Sequence, residues 1–448
     1  MRDRKKLVFC SWNQKRPWRV AWWVVLLLAT TAQATERSLV DLVRTALAQH
    51  PQMRAQQNRQ QAATAAIEAA RWDFWPTPSA TVEKTNTSAT DPSYKGDNMV
   101  TYLRLQQPLW TGGRLTGGLS KANAKAQSSE GDLQDTRQQL ALRVVQAWSD
   151  ALVANEKIQA YERALVMHKR LLSLVERRQF EGVSAQADVA LANSRLSTLL
   201  SDMEAVKVQL KTALDTLQSL TGLRLGSDIL PQARSLVEPQ RAATLEALLS
   251  GARDNSPQLG KAQAAIKAAL ADIEISKSSL SPEFYFRLER QYGSFQLLNQ
   301  SPQSRAFVGL STSFGGGLSR LSGMDAAVAQ HQAALDDLQN QQLMLDEQIT
   351  KEYALVQAAQ MRRTGLQSAI QGAAEVAESY ERQFLAGRKQ WLDLLNAARE
   401  LAQSEVQMAD VMGAQQLSAW KLAIYSRGTE TVFDAVMDLS VNTTKAKP

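Results

Sequence analysis

The chain of 448 residues contains one pattern twice, and this duplication limits its possible folds more than any other feature. When each residue n is placed over residue n+206, prolines, strand breaks and charged positions coincide in the same order. Two alanine-rich and glutamine-rich helices aligned by chance would not give this agreement. Matching pairs include Pro51 with Pro257, Gln52 with Gln258, Ile67 with Ile273, Glu68 with Glu274 and Pro76 with Pro282. We interpret 35–222 and 244–427 as two repeats, joined by a linker at 223–243 and followed by a tail at 428–448.

Each repeat predicts the same order of elements. A short helix and a helix of about 24 residues are each ended by proline, and two extended segments and a glycine pair follow. Residues 115–180 and 318–385 then lack proline and are dense in helix-forming residues, which predicts two helices of about 100 Å. Breaks near Gly182 and Gly387 separate each of them from a last long helix. In a repeat, the helix of about 24 residues and the last helix, placed end to end, come close to the length of the helix of about 100 Å.

The last helix of the first repeat carries a coiled-coil seam. Two sets of apolar residues recur every seven positions, offset from each other by three, while the other faces are polar. The two sets are Leu196, Met203, Leu210 and Leu217, and Leu199, Val206, Ala213 and Leu220. Such helices suit the wall of a water-filled tube as well as a solvated rod.

Four extended segments alternate between apolar and polar residues. We place them at 77–88, 98–110, 283–292 and 305–314. In the third, Phe284, Phe286 and Leu288 alternate with Tyr285, Arg287 and Glu289. This pattern fits a transmembrane strand with a lipid face and a wet face, although a small soluble hairpin is the alternative that the weak first strand allows. Four strands cannot close a barrel and lipid does not tolerate open edges, so a membrane protein would need several copies, and three would supply twelve strands.

The first 34 residues have the order of a secretory signal peptide. A basic stretch precedes the apolar run at 21–29, and Ala32-Gln33-Ala34 forms an A-x-A cleavage site. A retained N-terminal anchor is the alternative. These residues contain seven Lys and Arg and one Asp, so they hold +6 of the formal net charge of +7, and the excess positive charge does not indicate nucleic-acid binding. The single cysteine, Cys10, also lies here, so no disulfide, thiolate metal site or thiol catalysis is expected in the exported chain.

No pattern of residues indicates an enzyme or a cofactor site. The motifs of serine hydrolases, zinc proteases and nucleotide-binding loops are absent from the sequence. His50, His168 and His331 have no second ligand at metal-binding spacing, and we expect them on helix surfaces. We therefore predict a protein with no catalytic residues, no metal and no cofactor.

The two helix-breaking tips and the segment before the first long helix complete a family pattern. The segment reads Gln107-Pro108-Leu109-Trp110-Thr111-Gly112-Gly113, and the second tip reads Phe384-Leu385-Ala386-Gly387-Arg388-Lys389-Gln390-Trp391. With the duplication and the strand pairs, residues 36–428 resemble the TolC-type outer-membrane efflux and secretion proteins. The resemblance implies a mostly α chain with a transmembrane β part, a homotrimer with a 12-stranded barrel in outer-membrane lipid, and a helical coiled-coil tunnel in the periplasm of a Gram-negative bacterium. It also implies two partners, a periplasmic membrane-fusion adaptor and an inner-membrane ABC-type exporter or other pump.

The resemblance also assigns residues to a periplasmic gate. Carried over position by position, the gate residues are Phe384, Lys389, Asp393 and Asn396. Phe384 stands where the family has a tyrosine, and Asn396 where it has a second acid, so one ring of three carboxylates would remain. We expect weaker polar locks and weaker cation affinity than in a two-ring gate. The expected adaptor contacts are Gly182, Val183, Asp188, Gly387, Arg388 and Trp391, although Arg388 and Trp391 could equally be packing residues.

The transported cargo cannot be deduced from a polar tunnel. The tip sequence and the absence of a lipid-modified cysteine resemble type I protein-secretion channels, including adhesin exporters, more than drug-efflux channels. Small-molecule efflux is the alternative within this class. A periplasmic coiled-coil scaffold without a pore is the alternative from another class, and it leaves the alternating segments unexplained.

Overall fold

The computed structural model describes residues 38–86, 91–226, 230, 244–312 and 319–434. The predicted signal peptide at 1–34 lies outside the described residues. So do most of the predicted linker, at 227–229 and 231–243, and the tail beyond 434.

Both repeats have the predicted order of two helices, two strands and two helices. The first contains α1 (Leu39–Gln49), α2 (Pro51–Trp72), β1 (Thr77–Lys84), β2 (Met99–Trp110), α3 (Arg114–Phe180) and α4 (Gln186–Thr221). The second contains α5 (Leu245–Asn255), α6 (Pro257–Ser278), β3 (Glu283–Tyr292), β4 (Gln303–Ser311), α7 (Ser319–Leu385) and α8 (Trp391–Arg427). A short 3₁₀ helix, Pro92–Tyr94, lies between β1 and β2.

Local sequence signals set the helix ends. Ser38 caps α1 in a reciprocal capping box with Asp41, and Thr244 caps α5 in the corresponding position of the second repeat. Pro51 and Pro257 each occupy the first turn of a helix, where a missing N–H costs nothing. The longest helices, α3 and α7, have 67 residues each and are therefore about 100 Å long. α3 packs against α2 and α4, as the length match predicted, and also against α6 and α8 of the other repeat.

Three buried clusters hold the helices together. The largest joins α1 to α3, α4 and α8, and a smaller one joins α5 to α7 and α8. The third lies beneath the two tips. The predicted seam of α4 is largely confirmed, because Met203, Val206, Ala213, Leu217 and Leu220 are buried. The remaining positions of the seam are half-buried.

The described limits of two strands differ from the predicted ones. β1 ends at Lys84, which pairs with Met99, the first residue of β2, and residues 87–88 of its predicted range lie outside the described residues. β4 runs from Gln303 to Ser311, because these residues pair with the stretch of β3 from Gln291 to Glu283, and residues 313–314 of its predicted range lie outside the described residues. The end of a partner strand, which alternation does not reveal, decides where each strand ends.

Residues beyond the predicted repeat limits at 223 and 428 add to the core. Residues 429–434 are helical, and Val432 and Phe433 are buried in the largest cluster. The Phe433 ring stacks on Trp420, with 5.8 Å between the ring centroids. Leu230, from the predicted linker, is buried in the same cluster. Apolar residues on both sides of the second repeat therefore extend the core beyond the repeats themselves.

The four strands form one antiparallel sheet in the order β1-β2-β3-β4. The register shifts at the end of β2, between Pro108 and Trp110, where a bulge ends the strand before the glycine pair. β1 and β4 are the edge strands, and each has one side without a partner strand among the described residues. Residues paired across the sheet point to the same face, so the register assigns every side chain to one of two faces.

One face of the sheet is apolar and exposed. On this face lie large side chains that are between 41% and 78% exposed: Leu103, Leu105, Phe284, Leu288, Val308 and Leu310. The opposite face carries Tyr102, Arg104, Arg287, Glu289 and Arg305 among its polar residues. The alternation predicted from the sequence is thus present across strands from both repeats.

Candidate functional site

Both tips are tight turns built around a glycine. Gly182 and Gly387 have φ angles of +75° and +70°, the left-handed conformation that usually ends a helix. In the first tip, Val183 donates its backbone N–H to the Arg178 carbonyl at 2.8 Å, and in the second, Arg388 donates to the Gln383 carbonyl at the same distance. No heavy atom would lie within 4 Å of a Cβ at either glycine, so the glycines are needed for the backbone conformation and not for space.

The second tip has an aromatic core. Phe384 and Trp391 are each only 5% exposed, and their ring centroids lie 5.3 Å apart. Arg178 crosses from the first tip, with its guanidinium carbon 4.5 Å from the Phe384 ring centroid and its Nη1 donating to the Phe384 carbonyl at 3.1 Å. Phe384 of the predicted gate and Trp391 of the predicted adaptor contacts therefore pack inside this chain, where they fix the two tips to each other.

A polar cluster lies beside this core. The Lys389 ammonium is 3.1 Å from Asp393 Oδ2 and 4.2 Å from the Tyr380 ring centroid. The pKa of Lys389 is raised, chiefly because its ammonium donates a hydrogen bond to Asp393, and the negative charge of Asp393 contributes further. Two of the four predicted gate residues thus form an ion pair within one chain, and a tyrosine joins them.

The other predicted residues lie at the surface of the tips. Asn396 follows Asp393 by one helical turn and is exposed, as is Arg388. Val183 is 61% exposed. Asp188 reaches back to accept a hydrogen bond from the backbone N–H of Ala185, which satisfies the start of α4.

Tyr380 is the residue that sequence analysis missed. The resemblance pointed to position 384, where a phenylalanine has no hydroxyl, and implied that this hydroxyl was lost. Tyr380 lies one helical turn earlier on the same face of α7, and its ring centroid is 4.2 Å from the Lys389 ammonium. The spacing of four residues between Tyr380 and Phe384 was the signal in the sequence that could have shown it.

The two tips differ in the exposure of equivalent phenylalanines. Phe180 corresponds to Phe384 in the duplication, yet it is 92% exposed. Trp391 covers Phe384, whereas the corresponding position of the first repeat is Gln186. A single aromatic residue therefore decides whether each tip has a closed core or an exposed apolar residue.

The described residues contain no group of three or more His, Cys, Asp or Glu that could hold a metal ion. His168 corrects the expectation of surface histidines: it is 4% exposed within α3, and burial lowers its pKa. Within the same described ranges, no helix is long and apolar enough to cross a membrane.

The model of the outer membrane efflux protein family matches residues 42–223 and 248–425, which are the two repeats. The chain belongs to this family. It is 24% identical over 369 residues to the proteases secretion protein PrtF of Dickeya chrysanthemi, covering 78% of this chain and 76% of PrtF. It is also 24% identical over 310 residues to the pyoverdine export outer membrane protein OpmQ of Pseudomonas putida, covering 67% of this chain and 65% of OpmQ.

A solved structure shows the same fold. The outer-membrane channel OprN superposes with a TM-score of 0.76 at 20% identity, covering 87% of this chain and 89% of OprN. The predicted fold class, a duplicated and mostly helical chain with four strands, is confirmed. The family places the protein in the outer membrane of a Gram-negative bacterium, as an exit duct.

Proposed function

We propose that three copies of this chain close a 12-stranded barrel in the outer membrane, continued by a helical tunnel, and that the tunnel exports a protein. The observation that carries this proposal is the four-stranded sheet with two free edges and one exposed apolar face. In lipid, each free edge would leave a row of backbone groups without hydrogen bonds, at several kcal/mol per group. Pairing β4 of one copy with β1 of the next satisfies both edges.

The two long helices of each copy supply the tunnel. α3 and α7 are each about 100 Å long, and their exposed surfaces carry polar and charged side chains together with apolar ones, such as Leu343 and Met361 of α7. A wall of this kind admits water and hydrophilic chains without selecting among them, so the pump would select the cargo. Protein cargo is supported by the similarity to PrtF and by the resemblance of the second tip to type I secretion channels.

The tips would meet a periplasmic membrane-fusion adaptor that leads to an inner-membrane ABC-type exporter. The first tip offers Phe180 and Val183 as exposed apolar contacts, and the second offers Arg388 together with Leu385, which is 55% exposed. Gly182 and Gly387 shape these surfaces, and Asp188 fixes the start of α4. Trp391 would support the surface from below, since it is buried.

The gate would consist of Lys389, Asp393 and Tyr380, with Phe384 holding them in place from the core and Asn396 facing the tunnel one turn beyond. Three copies bring three Asp393 carboxylates to the entrance, each already paired with a lysine. The pairing with Lys389 lowers the negative charge that a passing cation would meet at Asp393. The charge is lowered further because Asn396 stands where the family has a second acid.

Cysteine cross-linking tests the closure of the sheet. β1 and β4 are separated by two strands, so their Cα atoms lie about 14 Å apart in one chain, too far for a disulfide. Ala80→Cys would be combined in turn with cysteines at the four positions of β4 on the same face, which are Ser304, Ala306, Val308 and Leu310. We expect at least one pair to give covalent trimers on non-reducing gels after oxidation in outer membranes.

A control pair shows that oxidation works. Leu103→Cys with Arg290→Cys joins paired positions of β2 and β3, so it should cross-link within one chain and leave the monomer size unchanged. Monomers from every β1–β4 pair, with the control oxidised, would contradict the trimeric barrel and favour the scaffold without a pore.

Small-molecule efflux remains the second candidate function, because the chain is 24% identical to OpmQ as well as to PrtF, although the match to OpmQ is shorter. Both functions use the same trimer and tunnel, so the cross-linking does not separate them. The cargo has to be measured in cells.

A further inference from the structure

The polar face of the sheet carries an uneven distribution of charge. The register aligns Ser79, Arg104, Glu289 and Arg305 in one row across the four strands, and Thr77, Gln106, Arg287 and Phe307 in the next. These two rows contain three arginines and one glutamate, which gives a net charge of +2 per chain. Because the apolar face must meet lipid, this face lines the water-filled interior of the proposed barrel.

The single acid of these rows is already neutralised. Glu289 is 8% exposed and accepts a hydrogen bond from Arg104 Nε at 2.6 Å. No ion pair joins Arg287 or Arg305 to an acid among the residues that the structure describes. Arg305 donates instead to the neutral side chain of Gln303. Two guanidinium charges per chain are therefore uncompensated within the sheet.

Arg287 is held in place by aromatic rings. Its guanidinium carbon lies 4.8 Å from the Phe307 ring centroid and 5.7 Å from that of Tyr285. The Tyr285 ring lies directly over Gly309, where an added Cβ would be 2.4 Å from a ring carbon. Arg287 Nε is buried without a hydrogen-bond partner in the described part of the chain. Cation–π contacts fix the side chain without reducing its charge.

The remaining acids of this face lie at its two ends. Glu283, at the helix end of β3, is paired with Arg114 at 2.7 Å. Glu83, near the outer end of β1, is four residues from Ser79 and therefore about 13 Å along the strand from the row of Arg104. That separation exceeds the Debye length of about 8 Å at physiological ionic strength. The middle of the face is thus a positive zone between better balanced ends.

We propose that Arg287 and Arg305 form an anion-selective ring at the middle of the barrel, which favours the passage of chloride and of carboxylate-bearing cargo. A narrow passage lined with one sign of charge concentrates counter-ions, because its low-dielectric wall focuses the field. The proposal rests on the trimeric barrel proposed above. Three copies bring six uncompensated arginines to this zone.

Reversal potentials in planar lipid bilayers measure this selectivity. The purified full-length protein is inserted under a KCl gradient, in an Asp393→Asn background that removes the carboxylates of the entrance. We expect chloride to be more permeant than potassium. Arg287→Gln and Arg305→Gln should each lower the chloride-to-potassium permeability ratio, by about two-fold or more in the double variant. Arg287→Lys keeps the charge and should keep the ratio.

A matched control lies on the same strand. Arg290 is three residues from Arg287 but points to the apolar face, with its guanidinium 5.4 Å from the Tyr292 ring centroid. Arg290→Gln removes the same charge from the other side of the sheet, so the permeability ratio should not change.

The outcomes separate the two proposals. Absence of any conducting channel from correctly folded protein would contradict the proposed barrel. Channels that prefer potassium in the Asp393→Asn background, or whose ratio is unchanged in Arg287→Gln and Arg305→Gln, would overturn the anion-selective ring and leave the barrel intact. If Arg290→Gln lowered the permeability ratio as much as Arg287→Gln, the ring would also be overturned, because a charge on the apolar face would then act as strongly as one in the interior.

Discussion

At the scale of single residues, one difference between the two repeats gives the two tips different packing. Trp391 closes the core over Phe384, whereas Gln186 leaves Phe180 exposed. Lys389 then pairs with Asp393 beside the closed core. The sequence predicted both of these charged residues, but not Tyr380, because its contact with Lys389 crosses the turn between α7 and α8.

Removing the lysine of this ion pair should strengthen cation binding at the entrance. In Lys389→Gln, the three Asp393 carboxylates of a trimer lose their partners, so we expect divalent cations to block single channels at lower concentration than in the wild type. Asp393→Asn should raise the blocking concentration above the wild-type value. The measurement is the dependence of block on cation concentration in lipid bilayers, with Asn396→Gln as a neutral control. Tighter block by Asp393→Asn, or no effect of Lys389→Gln, would contradict the gate assignment.

The left-handed glycine of the first tip should be sensitive to substitution. Gly182→Ala places a Cβ at φ +75° and should destabilise the protein by about 1 kcal/mol, although no atom would clash. Gly118 also has no atom within 4 Å of an added Cβ but lies inside α3, so Gly118→Ala should stabilise by about 0.5–1 kcal/mol. Thermal unfolding of the purified variants measures both. We expect Gly182→Ala to lower the unfolding temperature and Gly118→Ala to raise it. Equal shifts in the two variants would contradict the role of backbone conformation.

At the scale of elements, α3 and α8 make a very close helix contact between the two repeats. A Cβ built on Gly413 of α8 would lie 1.9 Å from Cγ2 of Val153 on α3. Ion pairs follow the same contact, with Lys157 to Asp410 at 2.6 Å and Arg163 to Glu405 at 3.0 Å. The exposed pairs contribute about 0–1 kcal/mol each, so close packing rather than charge sets the approach of the two helices.

Gly413→Ala should therefore force the two helices apart. We expect a loss of about 1–3 kcal/mol, the usual cost of an extra methyl group in a packed core. Gly372→Ala is the matched control, because Gly372 is exposed in α7 with no atom within 4 Å of an added Cβ. Val153→Ala should restore part of the stability to Gly413→Ala by making space. Failure of this second substitution to restore any stability in thermal unfolding would argue against the contact.

The sequence predicted the helices more accurately than the strands, for a physical reason. Helix ends depend on local signals, such as Pro51 at the start of α2 and Gly182 after α3, which are visible in a single sequence. Strand ends depend on the partner strand, so the alternation placed the start of β4 at residue 305, whereas pairing with β3 begins at Gln303. The core contributions of Leu230 and Phe433 were missed because no periodicity marks isolated apolar residues.

At the scale of the whole molecule, the chain joins two parts with different requirements. The sheet has an apolar face for lipid and a polar face for water, and the long helices expose polar residues along about 100 Å of their length. The duplication explains why four strands and two long helices come in equal halves. Fold and location follow from these features, but a polar tunnel does not specify its cargo, and the similarities to PrtF and OpmQ point in different directions.

The most direct test of protein export compares the culture-supernatant proteins of a strain lacking this chain with those of the complemented strain. Susceptibility to dyes and antimicrobials is measured on the same cultures as the control for small-molecule efflux. We expect one secreted protein to disappear from the supernatant of the deletion strain and to return on complementation, with unchanged susceptibility. An intact set of secreted proteins with broadly increased susceptibility would contradict protein export and identify the channel as a small-molecule outlet.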